Sequence, residues 1–406
     1  MTDRKIEKII LNNGITLLFD QDTSFKSATH SLTLLGGILD EKAEQNGLTH
    51  FLEHLLFKSN QHKTTVEIAN LIDCLGGEIN AFTEVELLEL HGIVPASKLE
   101  DLLYLTADLV LNAKFNERDI NLEREVIRQE ILAAADDPDE VLMNHFYQYF
   151  YAGSNFAQPI AGSLESITNV TVAHLQKRLA ELLVGKRMIF SFAGQLDIDK
   201  TARLVERLFS GIQPGQEMIF DTPKIQTGQK VVPRTFEQSY FVLAQAWVNA
   251  TEPDYLTGNI FSILFGESVS SRLFQNIREQ AGLVYDITSS VETYNKNSHF
   301  LILSTTEKKN LDLVLAKVKT ELENLNQTKF TLKELAQAQA LISAQFEMFD
   351  DLLENRLWRL TNCELIHKKY IPVEEVLAKI NSLTLSDLEN FINRRLTSSP
   401  RLLLKM

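Results

Sequence analysis

The stretch Gly47-Leu48-Thr49-His50-Phe51-Leu52-Glu53-His54-Leu55-Leu56-Phe57 sets two histidines four residues apart in an otherwise apolar run. On a helix, His50 and His54 are separated by about 40° around the axis and about 6 Å along it, so both imidazoles leave one face at a spacing that a single metal ion can bridge. Glu53 sits beside them without being needed as a ligand. The flanking Phe51, Leu52, Leu55, Leu56 and Phe57 predict a mostly buried helix, and burying two histidines and a glutamate is costly unless something compensates. A bound cation compensates. The alternative is a pair of hydrogen-bonded core histidines on an amphipathic helix. Nine histidines and 54 acidic residues among 406 positions give roughly 0.03 chance matches to His-x-x-acid-His, so a second constellation is needed to decide.

A catalytic zinc site usually takes three protein ligands and keeps one position open. The candidate third ligand lies on a helix predicted from about Glu117 to Ala135, with Asn116 as its N-cap and Asp119 three residues on. Glu123 and Glu130 are seven residues apart, within about 20° of each other on that helix. The alternative is a solvated charged face. Val126, Ile127 and Ile131 border the two glutamates, which favours a face turned partly inward.

Further out, Ile6 to Leu11 and Ile15 to Phe19 flank an Asn12-Asn13-Gly14 turn and read as a hairpin. Ala28 to Leu35 reads as a strand ending at Gly36-Gly37, a turn or tight packing point. Val66, Ala69 and Ile72 stripe a helix that Gly76-Gly77 stops, which also places Cys74 in the core. A strand-like stretch, Glu78 to Val94, follows, and Leu99, Leu102, Leu103, Thr106 and Val110 mark another helix. Breakers concentrate between Pro214-Gly215 and Pro233. The expected organisation is an N-terminal domain over 1–215, a linker over 216–234 and a C-terminal domain over 235–406, each α+β with a mainly antiparallel sheet against helices. In the second half Tyr240 to Val248, Phe300 to Thr305 and Arg401 to Lys405 read as strands, and Leu311 to Leu325 and Leu332 to Ile366 as helical segments.

Composition narrows the class. Hydrophobic residues make up 44% and charged residues 23%, which excludes wholesale disorder and fibrous repeats. A net charge of −14 argues against non-specific nucleic-acid or anionic-membrane binding. Two cysteines, Cys74 and Cys363, cannot make a disulfide framework and predict a reducing compartment. With neither a signal-peptide core nor eighteen consecutive apolar residues, the expectation is a soluble cytoplasmic protein. His91, His145, His174 and His367 are scattered without ligand spacing.

His50-Phe51-Leu52-Glu53-His54, then Gly76-Gly77-Glu78-Ile79-Asn80-Ala81-Phe82-Thr83, then Glu123-Arg124 leading to Glu130-Ile131 resemble the pitrilysin or insulinase family of zinc peptidases, the inverzincins. Ser271-Arg272-Leu273-Phe274-Gln275-Asn276-Ile277-Arg278-Glu279-Gln280-Ala281-Gly282-Leu283-Val284-Tyr285 looks like that family's C-terminal substrate-binding segment. The resemblance implies that His50, His54 and Glu130 hold Zn²⁺, that Glu53 is the general base, and that Glu123 orients a ligand histidine. It further implies that Asn80 and Ala81 lie on a strand accepting the substrate backbone, and that Arg278 and Tyr285 contact substrate carbonyls. The bland alternative for that last pair is a surface arginine and a core tyrosine. In length the chain is similar to the short family members, the mitochondrial processing peptidase subunits and their bacterial relatives. The implied fold is two similar α+β domains facing each other as half of a peptidase chamber. The implied function is a zinc metalloendopeptidase, acting as a homodimer on peptides or unfolded polypeptide. The rivals are a processing peptidase that needs a related subunit as heterodimer partner, and a non-hydrolytic interaction subunit.

Overall fold

The computed structural model describes residues 4–234, 236–396 and 401–406. Residue 235, where the expected second domain opens, lies outside them. In chain order the elements begin β1 (Arg4–Ile10), β2 (Thr16–Asp22), β3 (Ser27–Leu35), α1 (Leu48–Leu56), α2 (Thr65–Leu75), β4 (Glu78–Thr83), β5 (Leu87–Pro95), α3 (Leu99–Leu111) and α4 (Glu117–Asp136). They continue α5 (Pro138–Phe150), α6 (Leu164–Thr168), α7 (Val172–Leu182), β6 (Met188–Gly194), α8 (Ile198–Leu208), β7 (Gly228–Val231), β8 (Gln238–Ala246) and α9 (Tyr255–Ser262). The last are β9 (Val284–Thr293), β10 (Ser298–Glu307), α10 (Leu311–Glu323), α11 (Leu332–Phe349), α12 (Leu353–His367), α13 (Val373–Ser382), α14 (Leu385–Arg395) and β11 (Arg401–Lys405). The expected α+β class is borne out: two sheets of mostly antiparallel strands, each packed with helices.

Two compact units form. One comprises Met1–Ala134, Gln158–Ile219 and Phe349–Tyr370; the other Ala135–Ala157, Phe220–Met348 and Ile371–Met406. Ile219 and Phe220 fall within the 216–234 stretch of breakers, but a contiguous division into 1–215 and 235–406 leaves out two exchanged segments. The first, with α5, belongs to the second unit, where Tyr147 Oη donates to Glu292 at 2.5 Å and Tyr151 Oη meets His299 Nδ1 at 2.7 Å. The other, with α12, belongs to the first unit, where Arg356 pairs with Asp22 at 2.9 Å and Lys8 with Glu364 at 2.7 Å. Breaker residues report only where the chain turns. They carry no information on which sheet a helix then packs against.

The first unit's sheet runs β1-β2-β6-β3-β5-β4. β6 is central, parallel to β2 and antiparallel to β3. All its residues are buried, which is why Met188-Ile189-Phe190-Ser191-Phe192-Ala193 reads as a nearly continuous apolar run instead of alternating. Phe192 stacks on Phe19 with ring centroids 5.1 Å apart, in one core with Phe51, Leu52, Leu55 and Leu56 of α1. β4 pairs only with β5 and forms one edge of the sheet. The second unit's sheet runs β7-β11-β8-β10-β9, and its core is built around Trp247, Phe300 and Phe391.

α2 departs from expectation. Gly76 stops it in the left-handed conformation at φ +67°, but its buried side is Ile68 and Leu75 with Ile72 half-buried between them. Val66 is 68% exposed, and Ala69 and Cys74 are exposed too. The i, i+4, i+7 set Ile68, Ile72 and Leu75 carries more apolar volume than Val66 and Ala69, and that set turns to the sheet.

Glu89 of β5 is buried opposite Thr33 of β3, whose hydroxyl donates to it at 2.6 Å. Burial, with Glu84 nearby adding to it and the Thr33 bond opposing it, pushes this carboxyl up to about 7. Because the folded-state value exceeds the unfolded one, the native protein holds the extra proton between about pH 4.5 and pH 7, and stability falls as pH rises through that window. Glu89→Gln keeps an acceptor for Thr33 and removes the charge. Its thermal midpoint at pH 8 is expected to exceed that of the wild type by several degrees, from a gain of at most about 3 kcal/mol. At pH 5 the difference should shrink towards zero, and a pH-independent difference would refute the assignment.

Candidate metal centre

α1 buries Leu48, Phe51, Leu52, Leu55 and Leu56 against the first unit's core. That leaves His50, Glu53 and His54 half-buried on its other side. α4 is capped by Asn116, whose Oδ1 accepts from Asp119 N–H at 2.9 Å, and the same Asp119 accepts from Ser59 just beyond α1 at 2.8 Å. Ile120, Glu123 and Ile127 form the buried stripe of α4; Val126, expected to border that face, is 44% exposed and points away. Glu130 is one heptad beyond Glu123 on the same helix face but is exposed, with 46% of its side chain accessible.

His50, His54 and Glu130 come together. Their candidate ligand atoms all lie within 4.8 Å of one another, and this is the metal-capable group of three or more His, Cys, Asp or Glu among the described residues. Both Nε2 atoms face one oxygen of Glu130, at 3.9 Å from His50 and 3.4 Å from His54. His54 Nδ1 lies 3.1 Å from Glu123 Oε2. A carboxylate only accepts, so Nδ1 carries a proton and Nε2 is the nitrogen left to face Glu130. The other oxygen of Glu123 takes Lys58 Nζ at 2.7 Å. His50 Nδ1 is buried without a hydrogen-bond partner, and burial, reinforced by His54, pushes His50 down to about 4. It is thus a neutral imidazole at neutral pH. Two imidazoles and one carboxylate converging in this way are a donor set that fits a zinc ion.

Glu53 is fixed from the sheet: Thr83 at the end of β4 donates its hydroxyl to Glu53 Oε2 at 2.6 Å. Burial raises the Glu53 carboxyl above its ordinary value, with Glu130 adding to it and the Thr83 bond and His54 opposing it. Thr83 and Lys58 were not among the residues singled out from sequence. Thr83 closes the Gly76 to Thr83 motif and shares a strand face with Ala81, and Lys58 stands one helical turn beyond His54; these positions are the available signals. Asn80 is exposed on β4, its Oδ1 accepting from Ala81 N–H at 2.9 Å, and Ala81 is buried.

Arg278 and Tyr285 belong to the second unit. Arg278 lies in a π-helical turn over Phe274–Glu279, a geometry frequent at functional sites, and its guanidinium stacks 4.4 Å from the Phe274 ring. Tyr285, near the start of β9, is 82% exposed. The bland alternative of a core tyrosine does not hold.

Residues 16–164 match the family described as Insulinase (Peptidase family M16), and residues 169–342 match the one described as Peptidase M16 inactive domain. A protein of Rickettsia felis named an uncharacterized zinc protease is 30% identical over 391 residues, covering 96% of this chain and 94% of its own. One of Bacillus subtilis with the same description is 24% identical, covering 94% and 93%. Among solved structures, a peptidase M16 inactive domain from Pseudomonas fluorescens superposes with a TM-score of 0.91 at 16% identity, over 99% of this chain and 97% of that one. A protease from Helicobacter pylori gives 0.87 at 20% identity, over 99% of both. Among the described residues no helix is long and apolar enough to cross a membrane. His50, His54 and Glu130 all fall within the first matched region, and near-full-length similarity to proteins named zinc proteases extends over both, so the chain belongs to the insulinase family of peptidases, peptidase family M16.

Proposed function

We propose that the chain is a zinc-dependent endopeptidase, with His50, His54 and Glu130 as metal ligands and Glu53 as general base. The observation that carries this is the convergence of both Nε2 atoms on Glu130, with the tautomer of His54 set by Glu123. Zinc held by these three residues would supply Lewis acidity and make a nearby water more acidic. Glu53, held by Thr83, takes the proton of the attacking water and passes it to the leaving amine. The free edge of β4, with Asn80 and Ala81, receives the peptide as an added strand, a mode that reads backbone conformation more than side chains. Arg278 and the exposed phenol of Tyr285 contact substrate carbonyls, and Tyr285 donates to the oxyanion. Peptides or unfolded segments are the substrates, cut in an enclosed chamber. Two such domains make half of the chamber that the family resemblance implies, and because one chain carries both the candidate ligand set and the Arg278/Tyr285 pair, the other half is a second copy of it.

The test is hydrolysis of an internally quenched peptide library with zinc content measured in parallel. The expected result is about one zinc per chain, activity abolished by a chelator, and recovery on adding back one equivalent of zinc. Metal bound without hydrolysis of any peptide would move the function to a partner-dependent peptidase or a binding subunit.

A further inference from the structure

α1 has no capping side chain of its own. Gly47 precedes it at φ +87°, and no side chain from the N-cap accepts from the helix start, which leaves backbone donors to be satisfied from elsewhere. Glu41 satisfies them from six residues upstream. One of its oxygens accepts from Gly47 N–H at 2.8 Å, and the other accepts from Thr49 N–H and lies beside Thr49 Oγ1, each at 2.6 Å. Its negative charge also suits the positive end of the helix.

Arg178 of α7 closes the cluster. It is 2% exposed, its Nε donates to Thr49 Oγ1 at 2.9 Å, and one terminal nitrogen reaches the Gly37 carbonyl at 2.6 Å and Asp40 at 2.7 Å. Gly37 has no room for a side chain: its φ is +47°, and a Cβ there would stand 2.4 Å from the carbonyl oxygens of Glu84 and Val85. The loop ahead of α1, α1 itself and α7 therefore meet at Thr49, and the β4–β5 turn packs against Gly37 beside it. The next residue is His50, and a metal site tolerates displacement of only about 0.5 Å.

We propose that Glu41 and Arg178 are positioning residues for the metal centre, setting where α1 begins and how it is rotated so that His50 Nε2 meets His54 Nε2 and Glu130. This rests on the zinc-peptidase reading above. Neither residue is a ligand; each acts through Thr49.

Cobalt(II) is the probe, because its visible absorption reports ligand geometry independently of turnover. Glu41→Ala is expected to weaken cobalt and zinc binding about 10-fold, to shift the cobalt bands, and to lower kcat with little change in KM. Glu41→Gln, which retains one acceptor oxygen, recovers part of each effect. Arg178→Lys, which cannot bridge Thr49 and Gly37 together, shifts them in the same direction as Glu41→Ala. Leu109→Ala, a truncation in the core part of α3, lowers thermal stability without moving the cobalt bands, which separates positioning from general destabilisation. If Glu41→Ala does not fold, Glu41→Gln and Arg178→Lys make the same comparison. Unchanged cobalt affinity and bands in the folded variants would overturn the positioning role and leave the zinc-peptidase reading standing. A wild type that binds no cobalt would overturn both.

Discussion

Glu53→Gln is expected to bind zinc like the wild type and to lose about 10²- to 10⁴-fold in kcat, the usual contribution of a general base. The change is nearly isosteric. Glutamine still offers Thr83 an acceptor in place of the carboxylate that takes its hydroxyl at 2.6 Å, so β4 and α1 stay in contact and the ligands stay in place. What disappears is a group able to accept a proton, because an amide oxygen is far too weak a base. If Glu53 acts only in the transition state, kcat and kcat/KM fall together and KM stays near its original value. The measurement is steady-state kinetics on one quenched peptide with zinc content determined for both proteins. A variant that keeps zinc and still cleaves at the wild-type rate would exclude Glu53 as the base.

The second large effect is on metal affinity. Glu123→Ala removes the acceptor that holds the proton on His54 Nδ1 at 3.1 Å, and strands Lys58, whose Nζ is 2.7 Å from the same carboxylate. His54 is then free to rotate and to change tautomer, and a positive charge remains unpaired beside the site. Zinc affinity is expected to fall about 10- to 100-fold, the usual cost of losing an outer hydrogen-bond partner of a ligand histidine. Glu123→Gln isolates the two causes: its carbonyl oxygen can still accept from Nδ1, but it no longer neutralises Lys58. Competition with a chromophoric chelator gives the affinities. Equal zinc affinity in wild type and both variants would mean that Glu123 serves only to pair Lys58.

The candidate ligand set was legible in the chain because it obeys local periodicity. His50 and His54 share a helix face by spacing alone, and Glu123 and Glu130 share another. The hairpin about Asn13-Gly14, the strand Ala28 to Leu35 and the helix through Leu99 and Val110 were legible for the same reason: period-two and period-3.6 patterns are visible within one element. The partners of those elements were not. Thr83 meets Glu53, Lys58 meets Glu123, and Glu41 meets Thr49 only after the backbone has turned. Position gives Thr83 and Lys58 only a hint, at the end of the Gly76 to Thr83 motif and one turn beyond His54, and nothing in the local pattern marks Glu41 or its partner Thr49. α2 shows the limit even within one helix. Its sequence supports two apolar stripes, and packing chose Ile68, Ile72 and Leu75 over Val66 and Ala69, which left Cys74 exposed.

The amino-acid sequence by itself therefore determined the α+β class, the elements of the candidate metal-binding region and its candidate side chains His50, His54, Glu123 and Glu130, because each rests on the regular spacing of residues along a helix or strand. Only the tertiary structure decided that α5 and α12 join the unit other than the one their place in the chain implies. It also decided that His54 is oriented by a shared Glu123–Lys58 pair, and that α1 is anchored by Glu41 and Arg178. These features depend on hydrogen bonds and ion pairs between distant residues, which form through the three-dimensional approach of whole elements and leave no periodic trace in the chain.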